Sequence, residues 1–532
     1  MAVGEIREMT MGSATLDLKA ERSMEVAASS DQKKLRLKVF LIATVALIVL
    51  IAMMRAWVCW RTDRYVDHAA GAWVALAADL KDGVFYRPLY GPSGYGGTRY
   101  SPLYFVLYAG LLKLGVPLLL SGYLLSAAAI SLLLVGTFYL VRKLGAEPWL
   151  AACSAGTVLA AYSVQLSLLT TRADGLASAL NVCGVAVSCD RRPGHSRIIF
   201  ASLLFTLAWS TKLTTLFGLA AAFLWLLLSG HSRRAWQLAV ETACGCLAVT
   251  AAMFFLSQGR ILKIFEACAW GGANLIRTAV GPFHMLNIAG REDPGLLLFL
   301  LLALLVLPAM SARSLPWLFF IATAAATAVI FGSPGANFNH LLDLQVAAVI
   351  LFAAWIANSP RQKDFGIYGL AIATLLAAVP VAHKLKVEDR MIPPHRFERA
   401  ISLIGNSEKP ILAENPTVPV LAGQQPYVTD PFMLRVVWEH VPGFGEPLLE
   451  KLRSQAFGGV VLFMRDPRTD EGRAWYEQEH FGPGFLSALN ANYRLASVLN
   501  GEFVYVPNKD ARSESDPNLR GDSSQGTDGK GH

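Results

Sequence analysis

The chain has 532 residues, 54% of them hydrophobic and only 16% charged, with a net charge of +8. A soluble chain of this length needs far more charge to cover its surface, so a water-soluble globular protein is excluded. The basic excess flanks apolar runs and forms no arginine-rich, aromatic-interleaved tract, so it serves membrane topology and not nucleic-acid binding.

Residues 1–36 are polar and mixed in charge and read as a cytoplasmic tail. Lys33, Lys34, Arg36 and Lys38 precede an apolar run from Val39 to Met54 that is too long for a signal-peptide core, so a retained first span is expected at 37–55. Further spans are expected near 121–140, 149–165, 173–189, 197–210, 213–229, 236–257, 294–310, 315–332, 340–357 and 365–382, about eleven in all. With the N-terminus inside, every inner turn is basic: Arg142-Lys143, Arg191-Arg192 with Arg197, Arg233-Arg234, Arg313, and Arg361 with Lys363. An odd count leaves everything after Val381 outside the cytoplasm.

The first outer loop spans 56–120. Its stretch from Trp60 to Tyr104 holds four aspartates and six tyrosines among glycines and prolines. The apolar segment Pro102–Leu114 is short, and counting it as a span would reverse the charge pattern. It is therefore expected to be an interfacial or re-entrant helix, as is Val66–Leu80. Composition changes again at 383–507, where ILAEN (411–415), VPVLAG (418–423), GGVVLFMRD (458–466) and EFVYVP (502–507) read as strands. Helices are expected around Pro431–Glu439, Glu446–Gln455 and Gly484–Asn492. The fold class is thus a polytopic α-helical membrane protein with a small C-terminal α/β extracytoplasmic domain. Residues 508–532 have no apolar anchors and read as a disordered tail. The seven cysteines lie in or beside apolar runs and suggest no disulfide framework.

Several ionisable residues are hard to explain as structure alone. Asp63 follows the first span in RTDRYVDH, where a surface carboxylate could take a proton from an attacking hydroxyl. Asp67, four residues on, is expected on the same helical face, where it could hold a sugar hydroxyl or a cation. The bland alternative is that both solvate the loop or pair with Arg64. Arg172 and Asp174 stand at the outer mouth of the fourth span, and Lys212 in an outer turn among Ser and Thr. They could meet a phosphate, or could be a structural pair and a snorkelling lysine. Asn337, Asn339, His340 and Asp343 open another span, and capping accounts for only one of them. Arg99 and Tyr100 precede Ser101-Pro102. His284 and Glu266 read as surface residues. All the unexplained groups lie at outer ends of spans, whereas a transporter places them at mid-membrane. A transporter or flippase of lipid-linked sugars and a non-catalytic scaffold remain the rival readings.

In this order and sidedness, Asp63-Arg64-Tyr65, GVFYRPLYG (83–91), RYSPLYFVLYAGLLKL (99–114), RADGLA (172–177), STKLT (210–214) and GANFNHLLDL (335–344) resemble the multispanning GT-C glycosyltransferases that use polyprenyl-phosphate sugars. The style is that of the lipid A aminoarabinose transferase, protein mannosyltransferase and rhizobial lipopolysaccharide sugar transferase branches. The resemblance covers roughly 37–382. It implies an enzyme of a bacterial plasma membrane that inverts the anomeric centre, with Asp63 as base supported by Asp67. Arg99, Tyr100, Arg172, Asp174, Lys212, Asn339 and His340 would bind substrate. The implied partners are a polyprenyl-phosphate sugar donor, a lipid, glycan or protein acceptor, and membrane lipid. Arg64 stands where that family often has a second acidic residue, so no cofactor or metal is implied.

Overall fold

The computed structural model describes residues 2–508 except 191–193, 273–274, 334, 392–395, 406–407 and 500. The expected tail beyond Asn508 and the Arg191-Arg192 turn lie outside the described residues. The first helix, α1 (Ala2–Thr62), ends in a tight turn before α2 (His68–Lys81), whose N-cap Asp67 accepts from Ala70 N. After an irregular loop, Pro102 opens α3 (Pro102–Lys113), where its missing N–H costs nothing. Gly115, in a left-handed conformation, turns the chain into α4 (Leu118–Lys143). These two outer-loop helices lie where interfacial helices were expected.

The expected span at 149–165 is broken. α5 (Pro148–Thr157) and α6 (Tyr162–Leu169) are bent by 79° at a short 3₁₀ turn. The cause is the Asp293 carboxylate, which accepts from the backbone N–H of Tyr162 at 3.0 Å and Ser163 at 2.9 Å, and from Ser163 Oγ at 2.8 Å. It satisfies the N–H groups that a mid-helix break exposes. α7 (Asp174–Ser188), α8 (His195–Thr211), α9 (Phe217–Leu228) and α10 (Ser232–Leu256) follow. The region 258–293, expected as a loop, forms α11 (Arg260–Trp270) and α12 (Leu275–Glu292). The bundle closes with α13 (Pro294–Val306), α14 (Leu315–Ile330), α15 (Leu342–Asn358) and α16 (Lys363–Met391). Each of the eleven expected segments contains a helix. Among the described residues, five helices reach bilayer length and apolarity by themselves.

The protein is a multi-pass membrane protein, and its helices differ in what they face. The helix over 341–356 is almost wholly buried and forms the centre of the bundle, whereas Ser232–Leu256 is mostly exposed and turns Trp236, Val240, Leu247 and Phe255 outward. Basic residues of the turns expected inside meet at one end of the bundle: Lys38 and Lys363 share Glu147, and Lys143 and Arg197 share Asp190.

At the opposite end the chain builds a four-stranded sheet of order β1-β2-β4-β3. β1 (Ile411–Ala413) runs parallel to β2 (Gly459–Phe463), while β4 (Glu502–Pro507) is antiparallel to β2 and to β3 (Tyr493–Leu499). Two sequence expectations change. VPVLAG is not a strand: Asn415 Oδ1 accepts from Thr417 N at 3.1 Å and starts the helix Thr417–Leu421. β3 was not anticipated, because Ser497 lies on its inner face and Val498 on its outer one, so its residues do not alternate apolar and polar although their burial does.

This α/β unit is fused to the first loop. Tyr95 pairs in parallel with Val428, through Tyr95 N to Tyr427 O at 2.7 Å and Thr429 N to Tyr95 O at 3.0 Å. Gly71 on α2 lies so close to the unit that a Cβ there would sit 2.1 Å from Asn415 Oδ1. Arg87, 3% exposed, pairs with Asp79 at 2.9 Å and donates to Pro426 O at 2.7 Å and to Thr429 Oγ1. Asp79 in turn accepts from Gln425 Nε2 at 3.0 Å. Removing one partner of such a buried pair strands the other charge. Arg87→Met is therefore expected to destabilise this junction by about 3–5 kcal/mol. A lower thermal midpoint in detergent, with earlier proteolytic release of the α/β unit, checks this; an unchanged midpoint refutes it.

Candidate active site

The site begins where α1 ends. Asp63 adopts a left-handed backbone conformation (φ 52°), which Asp tolerates better than most side chains. Its Oδ1 accepts a hydrogen bond of 2.7 Å from the Tyr123 hydroxyl on α4. The Tyr123 ring is itself fixed by stacking on Trp60 at 5.4 Å. Asp63 and Asp67 do not share a helical face, as the sequence spacing had suggested: Asp63 lies in the turn between helices and Asp67 caps the next one.

Asp67 is doubly engaged. One oxygen accepts from Ala70 N at 3.0 Å, and the other meets Arg172 Nη2 in an ion pair. Burial works against its charge, but Arg172 and His68 outweigh it and hold the carboxyl down at about 2. Asp67 is thus a fixed anion that positions Arg172. The segment carrying Arg172 is laced to the same turn. Trp60 Nε1 donates to Leu168 O at 3.0 Å, Thr170 Oγ1 to Tyr65 O at 2.5 Å and Thr171 Oγ1 to Ala70 O at 3.4 Å. A Cβ on Gly122, the neighbour of Tyr123, would lie 2.4 Å from Thr171 Cγ2. Asp63, Tyr123 and Arg172 therefore belong to one packed cluster.

A second charged pair lies beside the first. Lys212 Nζ donates to Asp174 Oδ1 at 2.5 Å, and Asn339 Nδ2 donates to the same oxygen at 3.0 Å. Arg172 and His340 both act electrostatically on Asp174, and Lys212 acts on Asp343. Asn337 is spent on capping, accepting from Phe338 N. Arg99 leans towards the α/β unit instead, pairing with Asp430 at 3.8 Å and lying over the Phe432 ring at 4.3 Å. Tyr100 packs on Trp73 at 4.4 Å, and burial, with Asp430 nearby, raises its hydroxyl to about 12, so it remains a hydrogen-bond donor. His284 and Glu266 are exposed.

Three participants were not found in the sequence. Arg396 is buried under the loop, donates to Val66 O at 2.6 Å, pairs with Glu502 at 3.7 Å and acts electrostatically on Asp63 and Asp67. Its signal was hidden because it lies in the α/β unit, more than three hundred positions from the loop it supports. Tyr123 read as one aromatic in an apolar run. Arg55, within the first span, is fully buried; it donates to Gln165 Oε1 at 2.5 Å and lies 5.3 Å from the Tyr162 ring.

Chemically, the cluster offers one carboxylate held by a phenol and several cations, two of which are each matched by one carboxylate. Arg172 keeps a buried Nε–H without a hydrogen-bond partner, a donor that an anionic oxygen would satisfy. Lys212 and Asp174 are part-buried and bonded to each other, and Asn339 donates to the same Asp174 oxygen, so they should be energetically coupled. A double-mutant cycle of Lys212→Met and Asp174→Asn on thermal stability is expected to return a coupling of roughly 0.5–3 kcal/mol. Strict additivity would show that the pair is incidental.

No family model matches the sequence, and no curated protein does. Solved structures do. ArnT from Cupriavidus metallidurans, crystallised with undecaprenyl phosphate, superposes with a TM-score of 0.51 at 13% identity over 86% of this chain and 97% of that one. The oligosaccharyltransferase of Archaeoglobus fulgidus superposes with a TM-score of 0.54 at 12% identity over 88% and 75%. A complex of the latter, with an inhibitory peptide and a dolichol-phosphate, has a TM-score of 0.54 at 12% identity over 88% and 74%.

Proposed function

The chain has the GT-C fold of these membrane enzymes, as its motifs implied, and we propose that it is an inverting glycosyltransferase. It moves a sugar from a polyprenyl-phosphate carrier to an acceptor hydroxyl at the outer face of a bacterial plasma membrane. The reading is carried by one observation. At the end of the bundle away from the basic turns, the Asp63 carboxylate, bonded to Tyr123, packs into the same cluster as Arg172. The lipid phosphates bound by the two neighbours support a phosphate-bearing donor.

In this reaction Asp63 accepts the proton of the acceptor hydroxyl as its oxygen attacks the anomeric carbon. The new O–C bond forms on the face opposite the breaking C–O bond, and the electron pair leaves on the carrier phosphate. Charge grows on that phosphate in the transition state, where the Arg172 guanidinium and Lys212 ammonium stabilise it. Asp67 and Asp174 keep these cations in place while the site is empty. Tyr123 holds the Asp63 carboxylate in position through its 2.7 Å hydrogen bond. Tyr100, Asn339 and His340 line the approach and can hydrogen-bond sugar hydroxyls. Residues 37–382 supply the reaction centre, and 383–507 form an outer cover whose Arg396 braces the Asp63–Asp67 turn. The acceptor is a lipid, a glycan or a protein.

The test is purified full-length protein presented with a panel of polyprenyl-phosphate sugars, scoring release of polyprenyl phosphate. Asp63→Asn is expected to lower kcat by about 10²–10⁴-fold with little change in donor KM, the loss of a general base. Equal turnover in both proteins removes Asp63 from that role. Translocation of intact donor without phosphate release removes the transferase reading itself.

A further inference from the structure

We propose that His68, Glu414 and His480 form a zinc site that clamps the C-terminal α/β unit onto the first outer loop, directly beside Asp67. One imidazole nitrogen from each histidine and one Glu414 carboxylate oxygen lie within 4.8 Å of one another. Three separate elements supply them. His68 is the first residue of α2, Glu414 directly follows β1, and His480 ends a π-helical turn over Trp475–His480. π-turns are rare and concentrate at functional sites. This one brings Trp475 and His480 together onto the same carboxylate.

The cluster has unmet bonding capacity. His68 Nδ1 is buried without a hydrogen-bond partner. His480 Nδ1 lies 2.8 Å from Glu414 Oε1, yet it too lacks an aligned hydrogen bond. The His68 and His480 rings are 4.5 Å apart, centroid to centroid. Two imidazoles crowding one carboxylate without pairing is costly in a buried place, and a cation among them would take a lone pair from each. Glu414 is also oriented from behind: Trp475 Nε1 donates to Oε1 and Phe463 N to Oε2, each at 2.7 Å. Such outer partners fix ligating carboxylates in metal sites.

Two histidines and one carboxylate suit Zn²⁺, which takes nitrogen and oxygen ligands in a tetrahedron with a fourth position for water. Mg²⁺ and Ca²⁺ favour all-oxygen shells and are disfavoured here. The ion would lock His68, and hence the helix whose N-cap is Asp67, to the α/β unit. This role is independent of the glycosyl-transfer reading.

The experiment uses full-length protein purified in detergent without a polyhistidine tag and stripped with a chelator. One equivalent of Co²⁺ is expected to give the visible absorption of a tetrahedral site, bleached by Zn²⁺ and unaffected by Mg²⁺. Zn²⁺ should raise the thermal midpoint of the stripped protein. His480→Gln and Glu414→Gln should lose both the absorption and the Zn²⁺ response. Trp475→Phe, which keeps all three ligands, should bind about 10-fold more weakly. Wild-type protein that shows neither Co²⁺ absorption nor a Zn²⁺-dependent midpoint overturns the site, as does His480→Gln protein that keeps the absorption.

Discussion

The Asp67–Arg172 ion pair joins the parts of the molecule that could otherwise move independently. Asp67 ends the turn after the first span and starts the loop helix, and Arg172 lies between the broken α6 and α7. A part-buried charge pair near a membrane edge is stable only if both members stay matched. That requirement fixes the register of the loop on the bundle. Once Asp67 is held, Asp63 is confined to the preceding turn and His68 to the following one. Asp63, the Arg172 ion pair and the contact with the α/β unit are therefore set by a single short segment.

The α/β unit is part of this arrangement and not an appendage. It sends Arg396 and Asn415 to the same acceptor, Val66 O, each at 2.6 Å. It pairs backbone with Tyr95 and meets α11 through the stacked rings of Trp270 and His440, 5.3 Å apart. The loop residues that look like an unsupported polar insert in the sequence are covered from above by this unit and from below by the bundle. A long loop carrying aspartates and arginines can be ordered only when such partners satisfy its backbone and charges.

What the sequence disclosed follows from which signals are local. Charge at span ends is local, so the basic turns at one end of the bundle and the group of Arg172, Asp174, Lys212 and Asn339 at the other could be read from hydropathy and charge. The outer-loop helices were legible from their apolar spacing and short length, although the cap role of Asp67 was not. The break in 149–165 was not, because the residue that causes it is Asp293, far along the chain. Arg396 and Tyr123 were invisible because nothing near them in sequence hints at the carboxylate they serve. The β-branched residues of 418–423 suggest a strand, but the Asn415 side chain accepts from Thr417 N and starts a helix there. His68, Glu414 and His480 lie far apart in the sequence and show no motif spacing, so nothing local marks them as a cluster.

The two ion pairs also explain why a cationic centre can persist beside a membrane before any phosphate arrives. An unmatched Arg172 or Lys212 at this depth would draw water or lipid headgroups and lose its orientation. Asp67 and Asp174 neutralise them, yet they are single carboxylates facing donors with hydrogens to spare, as the unpartnered Nε of Arg172 shows. In the proposed reaction, a phosphate would add to each cation without displacing its carboxylate, so little reorganisation would accompany charge transfer to the leaving group. Asp63 belongs to the same cluster, where the Tyr123 phenol donates to it and Arg396 acts on it electrostatically.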